Sequence, residues 1–355
     1  MTARNPFTIL VVNPGSTSTK MALYEDDRLL HSHVLRHDPV MLRKFGGIWR
    51  QYEFRLHQIR EWTHASVQRL SAVVGIGGLF RPIPGGTYRV NSRMLDDAHG
   101  NLQGEHASNL GCAMADALAR EYGCEAFVVD PVSVDELEPL ARYSGHPLIQ
   151  RSSLSHALNI HAAARRAAEE LQLPLERSSL LIAHLGGGIS VAPVRGGRII
   201  DINDASSDGP FSPERTGGLP LQQFITLCFS GTYTEQDVRT LVRGGGGLMA
   251  YLGTTSAMEV EERIRNGDAR AEEVYRAMAY QISKEIGSMA VVLGGVIDAI
   301  VLTGGLATSA LLVGWITERV NFLGRVLVYP GEDEMRTLAA ETLAVLQNRT
   351  TPRDY

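Results

Sequence analysis

One pattern occurs twice in this chain. Residues 7–35 run FTILVV, a turn at Asn13-Pro14-Gly15, TKMALYE, a turn at Asp26-Asp27, then RLLHSHVL. These are apolar or alternating runs of strand length cut by turn residues, so three successive strands are expected. Residues 179–204, SLLIAHLGGGISVAPVRGGRIIDIND, repeat the order strand, glycine turn, strand, turn, strand. Setting Gly15 on Gly186 offsets the copies by 171 residues (186 − 15), about half of the 355-residue chain. Each copy is followed by helical spacing and a further apolar strand: 38–70 then SAVVGIGG, and AEEVYRAMAYQISKEIGSMAVVL then DAIVLTGG. GEHASNLGCAMADALAREYG reads as a helix ending at Gly123, and EAFVVDP as a buried strand stopped by Pro131. Strands alternating with helices make the class α/β. The duplication divides the chain into two similar α/β domains facing each other across a cleft.

A chain of this length buries two cores without a disulfide or metal staple. Its 34 basic and 39 acidic side chains give a net charge of −5 with no dense Lys/Arg block, which argues against nucleic acid or an anionic membrane as partner and favours a small ligand. Cys112, Cys124 and Cys228 are odd in number and fit no C-x-x-C spacing. They read as reduced core thiols of a cytoplasmic protein. The opening MTARNPF lacks the apolar run of a signal peptide. Residues 286–307 are apolar, but Asp298 and five glycines interrupt them, so they read as a helix end, a Gly294-Gly295 break and a buried strand rather than a membrane span.

NPGSTSTK is not a P-loop: Thr19 rather than glycine precedes Lys20, Met21 is no hydroxyl, and a strand follows where a helix is required. A glycine turn between strands can still present backbone N–H groups, with the hydroxyls of Ser16, Thr17 and Ser18 and the charge of Lys20 beside them. The alternative is a plain hairpin with solvated hydroxyls. The second turn, His184-Leu185-Gly186-Gly187-Gly188, lets backbone approach a polyphosphate closely. In VLTGGLATS a strand ends at Gly304-Gly305 where a helix could begin. The three turns together point to a nucleotide site.

The blocks NPGSTSTK, RPIPGG, GEHASNLG, VVDPVSVDEL, HALN, AHLGGGIS, DGPFSPERTGGLP, LTGGLA and YPGEDE, spread over nearly the whole chain, resemble the acetate kinase family in its butyrate kinase branch. The resemblance implies two duplicated ribonuclease H-like domains of the actin/Hsp70/sugar kinase type, over 1–150 with a C-terminal helix at about 335–355, and over 151–334. It implies reversible, direct in-line phosphoryl transfer between ATP and a short-chain or branched-chain fatty acid, with Mg²⁺, by a homodimer or larger homo-oligomer. Asn13, Ser16, Ser18 and Lys20 then match the first phosphate loop. Gly186, Gly187 and Gly188 match the second, and Gly304, Gly305 and Leu306 the adenosine side. Asp130 matches a residue near carboxylate and metal, or caps the turn before Pro131. His156 matches a transition-state hydrogen-bond donor, and His161 lies too far round the helix to pair with it as metal ligands do. Arg215 matches a ligand of the equatorial phosphoryl oxygens, or is a surface ion pair. Glu334 joins Asn13 and Asp130 around the metal, mostly through water, or is an acid favoured at a helix start.

One position departs from the family pattern. The block before PIPGG has Ile76 where the resemblance implies an arginine facing substrate. Arg81, five residues on, replaces it only if the loop folds back. The departure keeps other readings open: a weakened member that holds the carboxylate otherwise at a reduced rate, a kinase for another substrate, such as a sugar kinase with Asp130 as base, and an ATP-binding switch module.

Overall fold

A computed structural model describes residues 6–355; the first five residues of MTARNPF lie outside them. The chain forms two compact units, Met1–Val134 with Asp333–Tyr355, and Asp135–Glu332.

The first unit holds β1 (Thr8–Pro14), β2 (Ser18–Glu25), β3 (Arg28–Arg36), β4 (Ala72–Ile76), β5 (Thr87–Arg89) and β6 (Glu125–Val129) in one sheet with the terminal strand Arg353–Asp354. β1, β2 and β3 form an antiparallel meander. β4 lies parallel beside β1, and β6 parallel beside β4. Parallel neighbours need crossovers, supplied by helices Tyr52–Ser66 and Asn109–Tyr122. Their apolar faces meet Leu10, Val12 and Val73 through Leu56, Ile59, Leu110 and Met114.

The second unit repeats this plan with β7 (Ser179–Leu185), β8 (Ile189–Arg195) and β9 (Arg198–Ile199) as the meander. β10 (Ala299–Gly304) runs parallel beside β7, and β11 (Val326–Pro330) beside β10. Helices Ala269–Ala290 and Ala310–Val320 cross over and fill the core with Tyr275, Met278, Ile282, Leu312 and Ile316. β1 spans 8–14 and β7 spans 179–185, so the strands carry the same offset of 171 (179 − 8) as the sequence repeat.

The chain leaves the first unit at Val134, earlier than the boundary near 150 expected from the sequence. The stretch after it is bound into the second unit: Glu138 N–H donates to the Ile200 carbonyl at 2.9 Å, Ile199 N–H to Glu136 at 2.9 Å, and Arg151 to the Ile202 carbonyl at 2.8 Å. Helix Glu334–Leu346 packs on β1, β4 and β6 within the first unit. The helical spacing of 38–70 breaks into Pro39–Lys44, a 3₁₀ turn at Trp49–Gln51 and Tyr52–Ser66; Gly46, at φ +65°, opens the gap. The helix expected from Gly104 begins at Asn109, because the His106 ring bonds the Ser108 hydroxyl and N–H. Among the described residues no helix is long and apolar enough to cross a membrane. Residues 286–307 form a helix end, a turn through Gly294 and Gly295, and β10. Cys112 is a core thiol, pushed up to about 12 by burial, whereas Cys124 and Cys228 are half-buried.

Helix Asn109–Tyr122 sits close on β4 because of two glycines. A Cβ on Gly111 would stand 2.2 Å from the Ile76 carbonyl oxygen, and one on Gly75 2.2 Å from the Gly111 carbonyl oxygen. Gly111→Ala must therefore part helix from strand. We expect a loss of about 2–4 kcal/mol in urea unfolding; a loss below about 1 kcal/mol would show that the helix slides freely.

Candidate functional site

In the first unit the expected residues collect at the carboxyl edge of the parallel strands. Val12 pairs with Gly75 and Ile76 with Val129, so Asn13, Ile76 and Asp130 end three neighbouring strands in that order. Ligands of α/β sheets bind beyond this edge. Asn13 is buried, and its side-chain amide donates to Glu334 at 2.7 Å, which fixes the start of helix Glu334–Leu346. Asn13 is also the cross-strand partner of Lys20, whose side chain is exposed. Between them the hairpin closes through Gly15 N–H to the Ser18 carbonyl at 2.7 Å, leaving Ser16 and Thr17 exposed. Asp130 is buried at φ +38° and accepts the Gly86 N–H at 2.7 Å, while its own N–H returns to the Gly86 carbonyl at 3.0 Å.

In the second unit the glycine turn follows β7, and Gly186 N–H closes on the Gly188 carbonyl at 3.1 Å. Arg215 lies on this turn. A Cβ on Gly188 would stand 2.3 Å from its guanidinium, so only glycine admits it. The guanidinium donates to the Ala205 carbonyl at 2.9 Å, and its buried Nε has no partner among the described residues. Ser212 ties the loop down by donating to the Gly187 carbonyl at 2.5 Å and accepting the Arg215 N–H at 3.2 Å. His156 stands at the N-terminus of helix Ala157–Glu170, its Nδ1 3.0 Å from the Ser190 hydroxyl. Gly304, at φ +92°, ends β10 against the glycine turn that follows β7: a Cβ there would meet the Leu185 carbonyl oxygen at 2.5 Å. Gly305 and Leu306 continue into a 3₁₀ turn, and the helix begins only at Ala310, capped by Ser309.

Two residues at these edges carry more than their sequence context signals. His184, fully buried, stacks on His156 with ring centroids 4.0 Å apart, and its Nε2 lies 3.3 Å from Glu332; its place in the second glycine turn was the available signal. Arg55 is fully buried beneath the first hairpin, and nothing in its helical neighbours marks it. Arg81 does not take the place left at Ile76. Its guanidinium makes two bonds to Asp97, at 2.5 and 2.7 Å, and lies over the Tyr355 ring. His161 pairs with Glu136 at 3.3 Å, away from any ligand role with His156.

Among the described residues no group of three or more His, Cys, Asp or Glu side chains forms a metal cage. Magnesium carried on a nucleotide needs only one or two carboxylates beside phosphate and water oxygens. Asn13, Asp130 and Glu334 are hard oxygen donors of that kind.

The pattern described as the Acetokinase family matches residues 149–338. A protein of Listeria monocytogenes serotype 4a named "Probable butyrate kinase" is 48% identical over 353 residues, 98% of this chain and 99% of its own. "Butyrate kinase 2" of Clostridium acetobutylicum is 45% identical over 353 residues, with the same coverage of 98% and 99%. The crystal structure of Porphyromonas gingivalis acetate kinase superposes with a TM-score of 0.77 over 96% of this chain and 100% of that one, at 18% identity, a likeness of fold. The chain belongs to the acetokinase family and is an enzyme of the carboxylate phosphotransferase class.

Burial, reinforced by His184 and Arg215, holds the His156 imidazole well below its usual pKa. His156 is therefore neutral in the fold where the unfolded chain binds a proton, near pH 6.5. A proton taken up only by the unfolded state favours unfolding, so stability falls as pH drops through that value. His37, lowered to about 4 by burial and then by Arg55, acts in the same sense. Between pH 6.5 and 5 each such histidine is expected to contribute up to about 1.4 kcal/mol of loss per pH unit. Denaturant unfolding of His156→Asn should show a shallower acid slope than the wild type, and an unchanged slope would mean that His156 titrates normally.

Proposed function

We propose that this enzyme phosphorylates a short-chain or branched-chain fatty acid of the butyrate or isobutyrate type, using ATP, and releases the acyl phosphate reversibly. The observation that carries this is identity of 45–48% along 98% of the chain to proteins named for butyrate. The residues suit the chemistry. An ionised carboxylate is already a nucleophile, so no general base is demanded, and catalysis is in-line positioning with charge neutralisation. The first hairpin, with Ser16, Thr17, Ser18 and Lys20, receives the transferred phosphoryl group. Gly186, Gly187 and Gly188 admit the phosphate chain, and Gly304, Gly305 and Leu306 border the adenosine. Arg215, a half-buried fork whose buried Nε has an N–H to give, suits a pair of equatorial oxygens. His156, held neutral by burial, can give a hydrogen bond to the same group without adding charge. Asn13, Asp130 and Glu334 would hold the water shell of a magnesium ion, which would supply further neutralisation of phosphate charge. A cavity of about 470 Å³ beside Ser16 and Thr17 has Pro39, Leu42, Ile48 and Ala107 on its wall with Arg43, Gln51, Glu105 and His106, and its apolar part offers a seat for the tail of the acid.

The test is ATP-dependent acyl phosphate formation, trapped as hydroxamate, across acetate, propionate, butyrate and isobutyrate. We expect butyrate or isobutyrate to exceed acetate in kcat/KM by about tenfold or more, since one methylene in an apolar pocket is worth about 1–3 kcal/mol. ATP binding without hydroxamate from any acid would favour the switch module, and a phosphorylated product that hydroxylamine does not attack would favour a sugar kinase.

Ile76 stands between Asn13 and Asp130 with 9% of its surface exposed. An arginine neutralising a phosphoryl transition state is worth about 10³–10⁵ in rate. Ile76→Arg is therefore expected to raise kcat for acyl phosphate by about tenfold or more; an unchanged or lower kcat in a folded variant, with the wild type active, shows that position 76 does not limit the reaction.

A further inference from the structure

Arg55 is a buried cation with only neutral partners. Its Nε and Nη2 donate to the Gln51 side-chain oxygen at 3.1 and 2.9 Å. Nη1 donates to the Gly15 carbonyl at 2.8 Å, the Ser18 carbonyl at 3.1 Å and the Thr19 hydroxyl at 3.2 Å, and Nη2 to the Ser16 carbonyl at 3.1 Å. No carboxylate pairs with it among the described residues. Such a group is costly unless something else answers its charge. Its place in the first turn of helix Tyr52–Ser66 adds to the cost, because the positive end of the helix repels a cation. Gln51, at the N-cap, makes no capping bond with its side chain; its oxygen accepts from Arg55 instead.

The bonds also orient the hairpin. Arg55 thus draws the Gly15, Ser16 and Ser18 carbonyls inward, while the Thr17 carbonyl accepts the His37 N–H at 2.9 Å. In a trans peptide the following N–H points opposite to the carbonyl, and the chain has no cis peptide among its described residues. The N–H groups of Ser16 and Thr17, whose preceding carbonyls Arg55 holds, therefore face away from Arg55. Those of Ser16 and Thr17 have no acceptor among the described residues, and both residues are exposed.

We propose that Arg55 is the positioning residue that makes this hairpin an anion site. By gathering the carbonyls beneath the turn it sets the amide dipoles outward, and its own unanswered charge is balanced only when a phosphate oxyanion occupies the other face. This rests on the reading of the hairpin as a phosphate loop, and it assigns a role to a side chain that never touches the substrate. The ligand class is a terminal phosphoryl or pyrophosphoryl group, met through backbone N–H.

Gln51→Glu tests this with the full-length protein, because it replaces the amide by an isosteric carboxylate that neutralises Arg55 in place. We expect the unliganded protein to melt at the same or a higher temperature, while affinity for inorganic pyrophosphate, read by titration calorimetry, falls by about tenfold or more. Arg55→Gln, which removes the charge without adding an opposite one, is expected to weaken pyrophosphate binding to a similar extent. If that variant does not fold, Gln51→Glu carries the test alone. Arg60→Gln, on the same helix, should stay within about twofold of wild type. A merely structural role would make affinity follow stability, so weaker binding in a Gln51→Glu protein that has lost stability overturns the proposal, as does wild-type affinity in that variant. A wild-type protein that binds neither pyrophosphate nor ATP overturns the phosphate-loop reading, and this inference with it.

Discussion

Parallel strands can be joined only by crossovers, so their carboxyl ends fall on one edge of the sheet. Everything chemical in the two units follows from that constraint. In the first, β1, β4 and β6 end at Pro14, Ile76 and Val129, which brings Asn13, Ile76 and Asp130 to one edge. In the second, β7 and β10 bring the glycine turn at Gly186 and the bend at Gly304 side by side, with Gly304 against the Leu185 carbonyl. The antiparallel meander beside each parallel set then contributes a hairpin whose turn opens on the same edge. A hairpin is a poor anion site by itself, because its amides usually face its own carbonyls. The turns of the two units are built differently. The second uses three glycines and admits Arg215 from above the turn; the first has serines and threonine and is held from below.

Position in the chain decided what could be read before the structure. The meanders were legible because their period of two and their turn residues are local, and the offset of 171 between β1 and β7 needed only pattern matching. Asn13, Lys20 and the glycine turns were legible because they are part of those turns. Arg55 was not, since it sits 40 positions from Gly15 on a helix where an arginine looks like any solvated residue; its meaning lies in which carbonyls it meets. The unit boundary was missed for the same reason. The residues after Val134 carry no break in composition, and the second unit takes them by bonds such as Glu138 to Ile200, which only the fold reveals. Arg81 was legible as a candidate, but its engagement elsewhere was not, because Asp97 lies 16 residues away and Tyr355 at the far end of the chain.

Charge is handled in a consistent way at these edges. Burial lowers Arg55 to about 10 and also lowers Arg215, whose neighbour Arg243 adds to the effect. Both remain protonated at neutral pH, and a hydrogen bond made by a charged group is worth about 1.5–3 kcal/mol, roughly twice a neutral one. The histidines beside them go the other way: His156 and His37 are driven neutral. In each unit a guanidinium that keeps its charge thus stands beside an imidazole that burial holds neutral. That suits phosphoryl transfer, where the anion to be neutralised is present throughout.

Asp130 shows why capping a turn and serving a metal need not exclude each other. An aspartate tolerates the left-handed region better than most residues, but the conformation still costs stability. Here the cost is met by a reciprocal lock, since Gly86 N–H donates to Asp130 Oδ1 and Asp130 N–H returns to the Gly86 carbonyl. The lock engages one carboxylate oxygen and fixes the direction of the other. Strain of this sort persists where the surroundings over-determine it: Pro131 is seated against Gly77, where a Cβ would stand 2.3 Å from the proline Cβ, so the turn after β6 and the turn after β4 are built against each other. The turn-capping bond is thus what would hold the aspartate rigid at the edge beside Ile76, and a side chain held that way can orient a metal's water without searching for its position.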